Sequence, residues 1–138
     1  MNNSKNILNY MFGKGSIENL GSILANKKAK NDYVVYYVDE YFNNSELVNK
    51  LPINKDDEIF YVQTKDEPKT NFINQFRDQL VQKKKNNPKV IVSIGGGATL
   101  DTGKAVANLL TNDGNAEDYQ GWDLVENPGI YKVGIPTL

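Results

Sequence analysis

The chain has 138 residues, enough for one domain with a core of its own and short for two. Apolar residues make up 39% and charged residues 24%, the balance of a globular protein, and 16 basic against 17 acidic residues leave a net charge of -1, which argues against a duplex nucleic-acid binder. There is no cysteine and no histidine, so disulfides, thiolate catalysis, the commonest general base and the commonest metal ligand are all missing. No stretch approaches the roughly 20 apolar residues that span a membrane, and the opening Met1-Asn2-Asn3-Ser4-Lys5 lacks the apolar core of a signal peptide, so the cytoplasm is the default location.

Taken in order, short apolar runs alternate with helical patterns and no repeat or low-complexity linker intervenes. Ile7 to Phe12 reads as a short strand ended by Gly13-Lys14-Gly15. Ser16 suits an N-cap, and Ile17, Leu20, Ile23 and Leu24 follow at helical spacing. Tyr33 to Val38, continuous, β-branched and aromatic, reads as a buried strand, and Glu58 to Val62 as another. Pro68 suits a first helical position, with Phe72, Ile73, Phe76 and Leu80 along one face of the helix that follows. Lys83-Lys84-Lys85 then reads as a solvated helix end, where cations favour the negative end of the dipole, and Asn86-Asn87-Pro88 stops the helix. Val90 to Ile94 is the next buried strand, a helix from about Ala98 to Leu110 follows, Asn112 to Gly129 is a long surface excursion, and Tyr131 to Ile135 is a last strand. This order predicts an α/β, Rossmann-like, mostly parallel sheet with flanking helices. Such sheets bind ligands beyond the carboxyl ends of their strands.

The chemistry concentrates in Val90-Ile91-Val92-Ser93-Ile94-Gly95-Gly96-Gly97-Ala98-Thr99-Leu100-Asp101, where a buried strand delivers three glycines to a helix start. Glycine permits a positive φ and lets a ligand approach without meeting a Cβ, and a helix start offers unpaired N–H groups to a diphosphate. A plain tight turn is the other reading, but it would not require three adjacent glycines with their entropic cost. Asp101 is expected in the first helical turn, either as half of a capping arrangement or facing a ligand. Ala98, at the expected cap position, offers no side-chain oxygen. Lys104 is expected to pair with Asp101 or to reach a ligand, the pair being favoured. Asp39 ends the Tyr33–Val38 strand, where an acid binds an adenosine ribose diol and repels a 2′-phosphate, favouring NAD. An exposed turn residue beside Glu40 is the alternative. The acid precedes the glycines, so this is not the ordinary dinucleotide fingerprint. Tyr119 and Trp122, aromatics within the excursion, are expected to pin the loop to the domain, with a sugar pocket or a second subunit as alternatives.

Gly95-Gly96-Gly97-Ala98-Thr99-Leu100-Asp101-Thr102-Gly103-Lys104-Ala105 resembles the GGGSxxDxAKA segment of iron-containing (group III) alcohol dehydrogenases. Gly134-Ile135-Pro136-Thr137 resembles that family's strand ending in IPT, and Tyr10-Met11-Phe12-Gly13-Lys14-Gly15 its opening. Val34 to Asp39, Asp66-Glu67-Pro68-Lys69-Thr70 and Tyr119-Gln120-Gly121-Trp122-Asp123-Leu124 resemble the 3-deoxy-D-manno-octulosonate 8-oxidase branch. That branch oxidises the C8 alcohol of a sugar acid to an aldehyde, which an aminotransferase can convert to an 8-amino sugar of lipopolysaccharide. The resemblance implies that Asp39, Gly95, Gly96, Gly97, Ala98, Thr99, Asp101 and Thr137 line an NAD site. Ala98 stands where the family has Ser, which removes one hydroxyl contact. Gly103 stands where Ala is common, which should loosen the helix by up to about 1 kcal/mol. Leu138 stands where many members have a second Thr.

The family's divalent metal, iron or zinc, is held by one Asp and three His in a helical C-terminal domain, to which no residue here can be matched. The expectation is therefore a dinucleotide-binding domain over residues 1–138 with the metal-binding domain absent, as in a fragment or truncated gene product. The expected partner is a small-molecule sugar acid or alcohol, with no nucleic acid or membrane partner and a homodimer for the full-length enzyme. A stand-alone nucleotide-binding module and an inactive remnant are the alternatives.

Overall fold

A computed structural model describes residues 16–64, 70–84, 86–119 and 126–137. The expected strand at 7–12, the turn at 13–15, Pro68 with the rest of 66–69, Lys85, Trp122 with the rest of 120–124, and Leu138 lie outside the described residues.

Among the described residues four strands form one parallel sheet: β1 (Val34–Asp39), β2 (Glu58–Val62), β3 (Val90–Gly95) and β4 (Tyr131–Pro136), in the order β2-β1-β3-β4. The two central strands are apolar at nearly every position because both of their faces are covered, as an all-parallel sheet requires. On the edge strand β4, Tyr131, Val133 and Ile135 are half-buried and alternate with exposed Lys132, Gly134 and Pro136.

One face carries Val34, Tyr36, Val38, Val90, Val92 and Ile94 against Leu20 and Leu24 of α1 (Leu20–Lys27), with Leu47 and Val48 of the short α2 (Glu46–Asn49) packed alongside. The other face carries Val35, Tyr37 and Ile91 against Leu80 of α3 (Thr70–Lys83) and Val106 and Ala107 of α4 (Gly97–Leu109). Tyr37, Phe60 and Phe76 cluster there, with ring centroids 5.1 to 5.9 Å apart. A helix 3.6 residues per turn and a strand of period two each bury one stripe or face, and these two apolar layers are where the stripes meet.

Helix starts differ from expectation. Ser16 opens a 3-10 turn, Ser16–Asn19, instead of capping an α-helix, and α1 begins at Leu20 with no side-chain cap on Asn19. The α-type hydrogen-bond pattern starts where the apolar stripe engages the sheet, one turn later than Ser16 suggests. The basic run is not merely solvated. Lys83 Nζ lies 2.8 Å from Glu58 Oε1, and Lys84 Nζ lies 3.5 Å from Glu58 Oε2, so the end of α3 grips the start of β2. Lys84 also donates to Asp56 O and sits over the Tyr33 ring.

The excursion after α4 is anchored at its neck and its base. Asn112, buried, donates to Asn108 O and Asn127 O and accepts from the amides of Glu126 and Asn127, joining the two ends. A 3-10 turn, Ala116–Tyr119, is held against α3 by Arg77 on Gly114 O and Asn115 Oδ1 and by Asn74 on Ala116 N and Glu117. The Tyr119 hydroxyl donates to Asp113 O, a bond within the excursion itself.

Candidate functional site: the mouth of helix 4

Register brings the predicted residues to one edge of the sheet. Asp39 pairs with Val62, Ile94 with Val38, and Gly95 with Pro136, so the carboxyl ends of all four strands finish level. Asp39 ends β1, Gly95 ends the neighbouring β3, and Thr137 follows β4, its amide donating to Gly95 O at 3.0 Å. Asp39, Gly95 to Thr99 and Thr137 are therefore neighbours in space although they are spread over about a hundred positions of sequence. Two shallow clefts, lined by residues such as Lys28, Lys55, Asp56 and Asn86, lie at the opposite, amino ends of the strands, and no sequence-predicted site residue lines them.

The three glycines play different parts. Gly95 has φ +155°, and a Cβ placed there would stand 2.8 Å from Thr99 Oγ1, 2.9 Å from Thr99 Cβ and 3.0 Å from Asp39 Cβ. Its glycine is required by the fold, both for conformation and for the close approach of strand ends to the helix. Gly96 and Gly97 have no such excuse. Gly96 is extended (φ -84°, ψ -168°), neither residue has a positive φ, and a Cβ at either would meet nothing within 4 Å. Their missing side chains leave open space in front of the helix start, which is what a ligand approaching the backbone needs.

That helix start is uncapped. The N-cap is Gly96, with no side-chain hydrogen bond, and the first internal bond of the turn is Leu100 N to Gly96 O at 3.0 Å. The amides of Gly97, Ala98 and Thr99 thus have no intrahelical partner, and they carry the positive end of a 13-residue helix dipole. Thr99 adds an unsatisfied polar atom, because its Oγ1 is buried without a hydrogen-bond partner. A buried hydroxyl left unpaired costs about 1–3 kcal/mol, and the core hydroxyl of Tyr37 is unpartnered as well.

Three expectations are corrected. The cap is Gly96, not Ala98. The helix begins at Gly97, so Asp101 is its fifth residue, past the first turn, and its side chain is exposed. Asp101 and Lys104 form no ion pair among the described residues. Lys104 instead lies near Lys132 of β4, an exposed residue whose ammonium is partly desolvated, and that desolvation first and Lys104 second push its pKa below the usual lysine range. Asp39 is half-buried and belongs to the turn: its Oδ1 accepts from Tyr41 N at 3.0 Å, capping the 3-10 turn Glu40–Phe42, and that leaves Oδ2 for other partners. The Asp39–Tyr41 cap is local, an acid two residues before the amide it accepts from, whereas the unpartnered Thr99 hydroxyl depends on how the strand ends meet α4 and could not be read from the sequence.

No group of three or more His, Cys, Asp or Glu side chains among the described residues is placed to hold a metal ion. No helix among them is long and apolar enough to cross a membrane.

Residues 8–138 match the family model for iron-containing alcohol dehydrogenase. The NAD-dependent methanol dehydrogenase of Bacillus methanolicus is 28% identical over 131 residues, 92% of this chain and 33% of that protein. Alcohol dehydrogenase 4 of Saccharomyces cerevisiae is 32% identical over 127 residues, 91% of this chain and 33% of that protein. Among solved structures, an alcohol dehydrogenase from Oenococcus oeni superposes with a TM-score of 0.74 at 20% identity, covering 92% of this chain and 33% of that one. A sulfoacetaldehyde reductase from Bifidobacterium kashiwanohense in complex with NAD+ superposes with a TM-score of 0.66 at 19% identity, covering 90% and 32%. The chain spans about a third of the length of the curated relatives it matches. With the glycine mouth, the level strand ends and the family match together, the chain belongs to the iron-containing alcohol dehydrogenase family.

Proposed function

We propose that this chain forms the dinucleotide-binding part of an alcohol dehydrogenase or oxidase that uses NAD. The observation that carries the reading is the open space at Gly96 and Gly97 before an uncapped helix start: glycines that neither conformation nor packing demands, beside amides that lack partners. In this reading the amides of Gly97, Ala98 and Thr99 hold the diphosphate, Asp39 accepts from the ribose diol, and Thr137, tied to Gly95, borders the site towards β4, with Asp101 at its exposed rim. A bound nicotinamide would supply the hydride acceptor for oxidation of a substrate carbinol. The described residues do not fit the divalent ion of the family, so no step through a metal is assigned to this chain.

Calorimetric titration of NAD+ into the full chain tests the reading. Saturable binding, competed by inorganic pyrophosphate, is expected; no heat at millimolar NAD+ overturns it.

The substrate we infer is the C8 primary alcohol of 3-deoxy-D-manno-octulosonate, oxidised to the aldehyde in 8-amino sugar and lipopolysaccharide biosynthesis. It is supported by the sequence resemblance of Val34–Asp39, Asp66–Thr70 and Tyr119–Leu124 to that branch. The enzyme that contains this chain, supplied with iron or zinc, should form aldehyde from the octulosonate in preference to methanol or propanediol. Equal turnover of the simple alcohols contradicts it.

A further inference from the structure

At the carboxyl edge of the sheet, Tyr41 has 84% of its surface exposed, the highest value among the exposed large hydrophobic side chains of the described residues. It lies two positions past Asp39 on a turn fixed from several directions. Asp39 Oδ1 accepts from Tyr41 N at 3.0 Å, Asn43 N donates to Glu40 O at 3.0 Å, and Ser45 donates to Phe42 O through both its amide and its hydroxyl. Phe42 packs against the core beneath β1, and the Tyr41 ring meets it at 88° with centroids 5.1 Å apart. A perpendicular contact leaves at least one face of the Tyr41 ring free. Folding gains little from a ring left bare in water on a well-bonded turn, which points to a use outside the chain.

We propose that Tyr41 is the stacking platform for the adenine ring of the bound dinucleotide. The inference rests on the dinucleotide reading above. Adenine is joined directly to the ribose whose diol would meet Asp39, and Tyr41 stands two residues on, on the turn whose amide is bonded to that same carboxylate, so its ring is the exposed aromatic side chain nearest in sequence to the ribose contact. Every purine presents a flat π-face, and stacking on an aromatic side chain adds affinity without requiring a hydrogen bond. The platform sets a preference for an adenine-bearing ligand over the same diphosphate without its base.

The test is calorimetric titration of ADP-ribose and, separately, of inorganic pyrophosphate into the full chain and its Tyr41→Ala and Tyr41→Phe variants. Tyr41→Ala should weaken ADP-ribose binding by about tenfold or more, Tyr41→Phe should leave it within about twofold, and pyrophosphate should bind all three alike. Unchanged ADP-ribose affinity in Tyr41→Ala overturns the platform and leaves the dinucleotide reading standing. A loss in Tyr41→Phe as large as in Tyr41→Ala assigns the contact to the hydroxyl, which also overturns it, as does a parallel loss of pyrophosphate. Failure of the unaltered chain to bind ADP-ribose removes both readings together.

Discussion

Ser93 of β3 and Gly103 of α4 share one space: a Cβ at Gly103 would stand 1.8 Å from Ser93 Oγ and 3.1 Å from Ser93 Cβ. Helix propensity alone says that Gly103→Ala stabilises by about 1 kcal/mol. The contact says otherwise, since Ser93 is buried and forced overpacking of a core costs about 1–3 kcal/mol. Gly103→Ala should therefore lower the urea unfolding midpoint, and Ser93→Gly combined with it should recover most of the loss. A single Gly103→Ala that raises the midpoint would show that α4 and β3 adjust freely.

Thr99 separates stability from binding. Its hydroxyl is buried and unpartnered, so the isosteric Thr99→Val should leave the unliganded melting temperature unchanged or higher. The rise in melting temperature on adding saturating NAD+ should shrink, because a polar atom at the helix mouth is gone. An unaltered NAD+-induced rise would limit Thr99 to packing against Gly95.

Asp39 serves as a cap and offers a charge, and one substitution keeps the first while removing the second. Asparagine retains an oxygen for Tyr41 N, so Asp39→Asn should hold stability within about 0.5 kcal/mol. Without the carboxylate, repulsion of a 2′-phosphate is lost, and the ratio of NADP+ to NAD+ affinity should rise about tenfold, near 1.4 kcal/mol. Titrations that show an unchanged ratio would remove Asp39 from the ribose site.

Burial of tyrosines makes the fold sensitive to alkali. Tyr33 is pushed up to about 12 by burial first and Glu58 second, Tyr36 is raised further by burial and Asp57, and Tyr37 is raised most by burial and then Tyr33. A hydroxyl whose folded pKa exceeds its unfolded value of 10.0 keeps more protons in the fold, so its contribution is complete below pH 10 and is lost as pH rises; for Tyr33 that loss runs from pH 10 to about 12. Phenolate absorbance of the native chain should lag that of the urea-unfolded chain over this window. Superimposable titrations would contradict the burial of these hydroxyls.

The sheet was legible because its strands are continuous apolar runs. Tyr33–Val38, Glu58–Val62, Val90–Ile94 and Tyr131–Ile135 match β1 to β4 to within a residue at each end. Strands buried on both faces leave a strong local mark. Helix starts leave a weaker one: cap chemistry points to Ser16 and Ala98, but α1 begins at Leu20 and α4 at Gly97. Asp39 and Gly95–Gly97 are legible from their positions at strand ends, whereas Thr99 and Thr137 enter through the family resemblance; parallel register aligns the strand ends that carry them. What the sequence could not reveal were relations across elements: Lys83 and Lys84 on Glu58, Ser93 against Gly103, and the unpartnered Thr99 hydroxyl. Each needs two segments brought together before it exists.

Gly97→Val bears most directly on the central claim. A Cβ at Gly97 meets nothing within 4 Å, and valine is a better helix residue than glycine, so the variant should unfold at the same urea concentration as the parent or higher. If the open space belongs to a diphosphate, calorimetric titration of NAD+ into this stable variant should show affinity reduced at least about a hundredfold, near 2.7 kcal/mol. Parental NAD+ affinity in a folded Gly97→Val chain would contradict the assignment of the helix mouth to the dinucleotide.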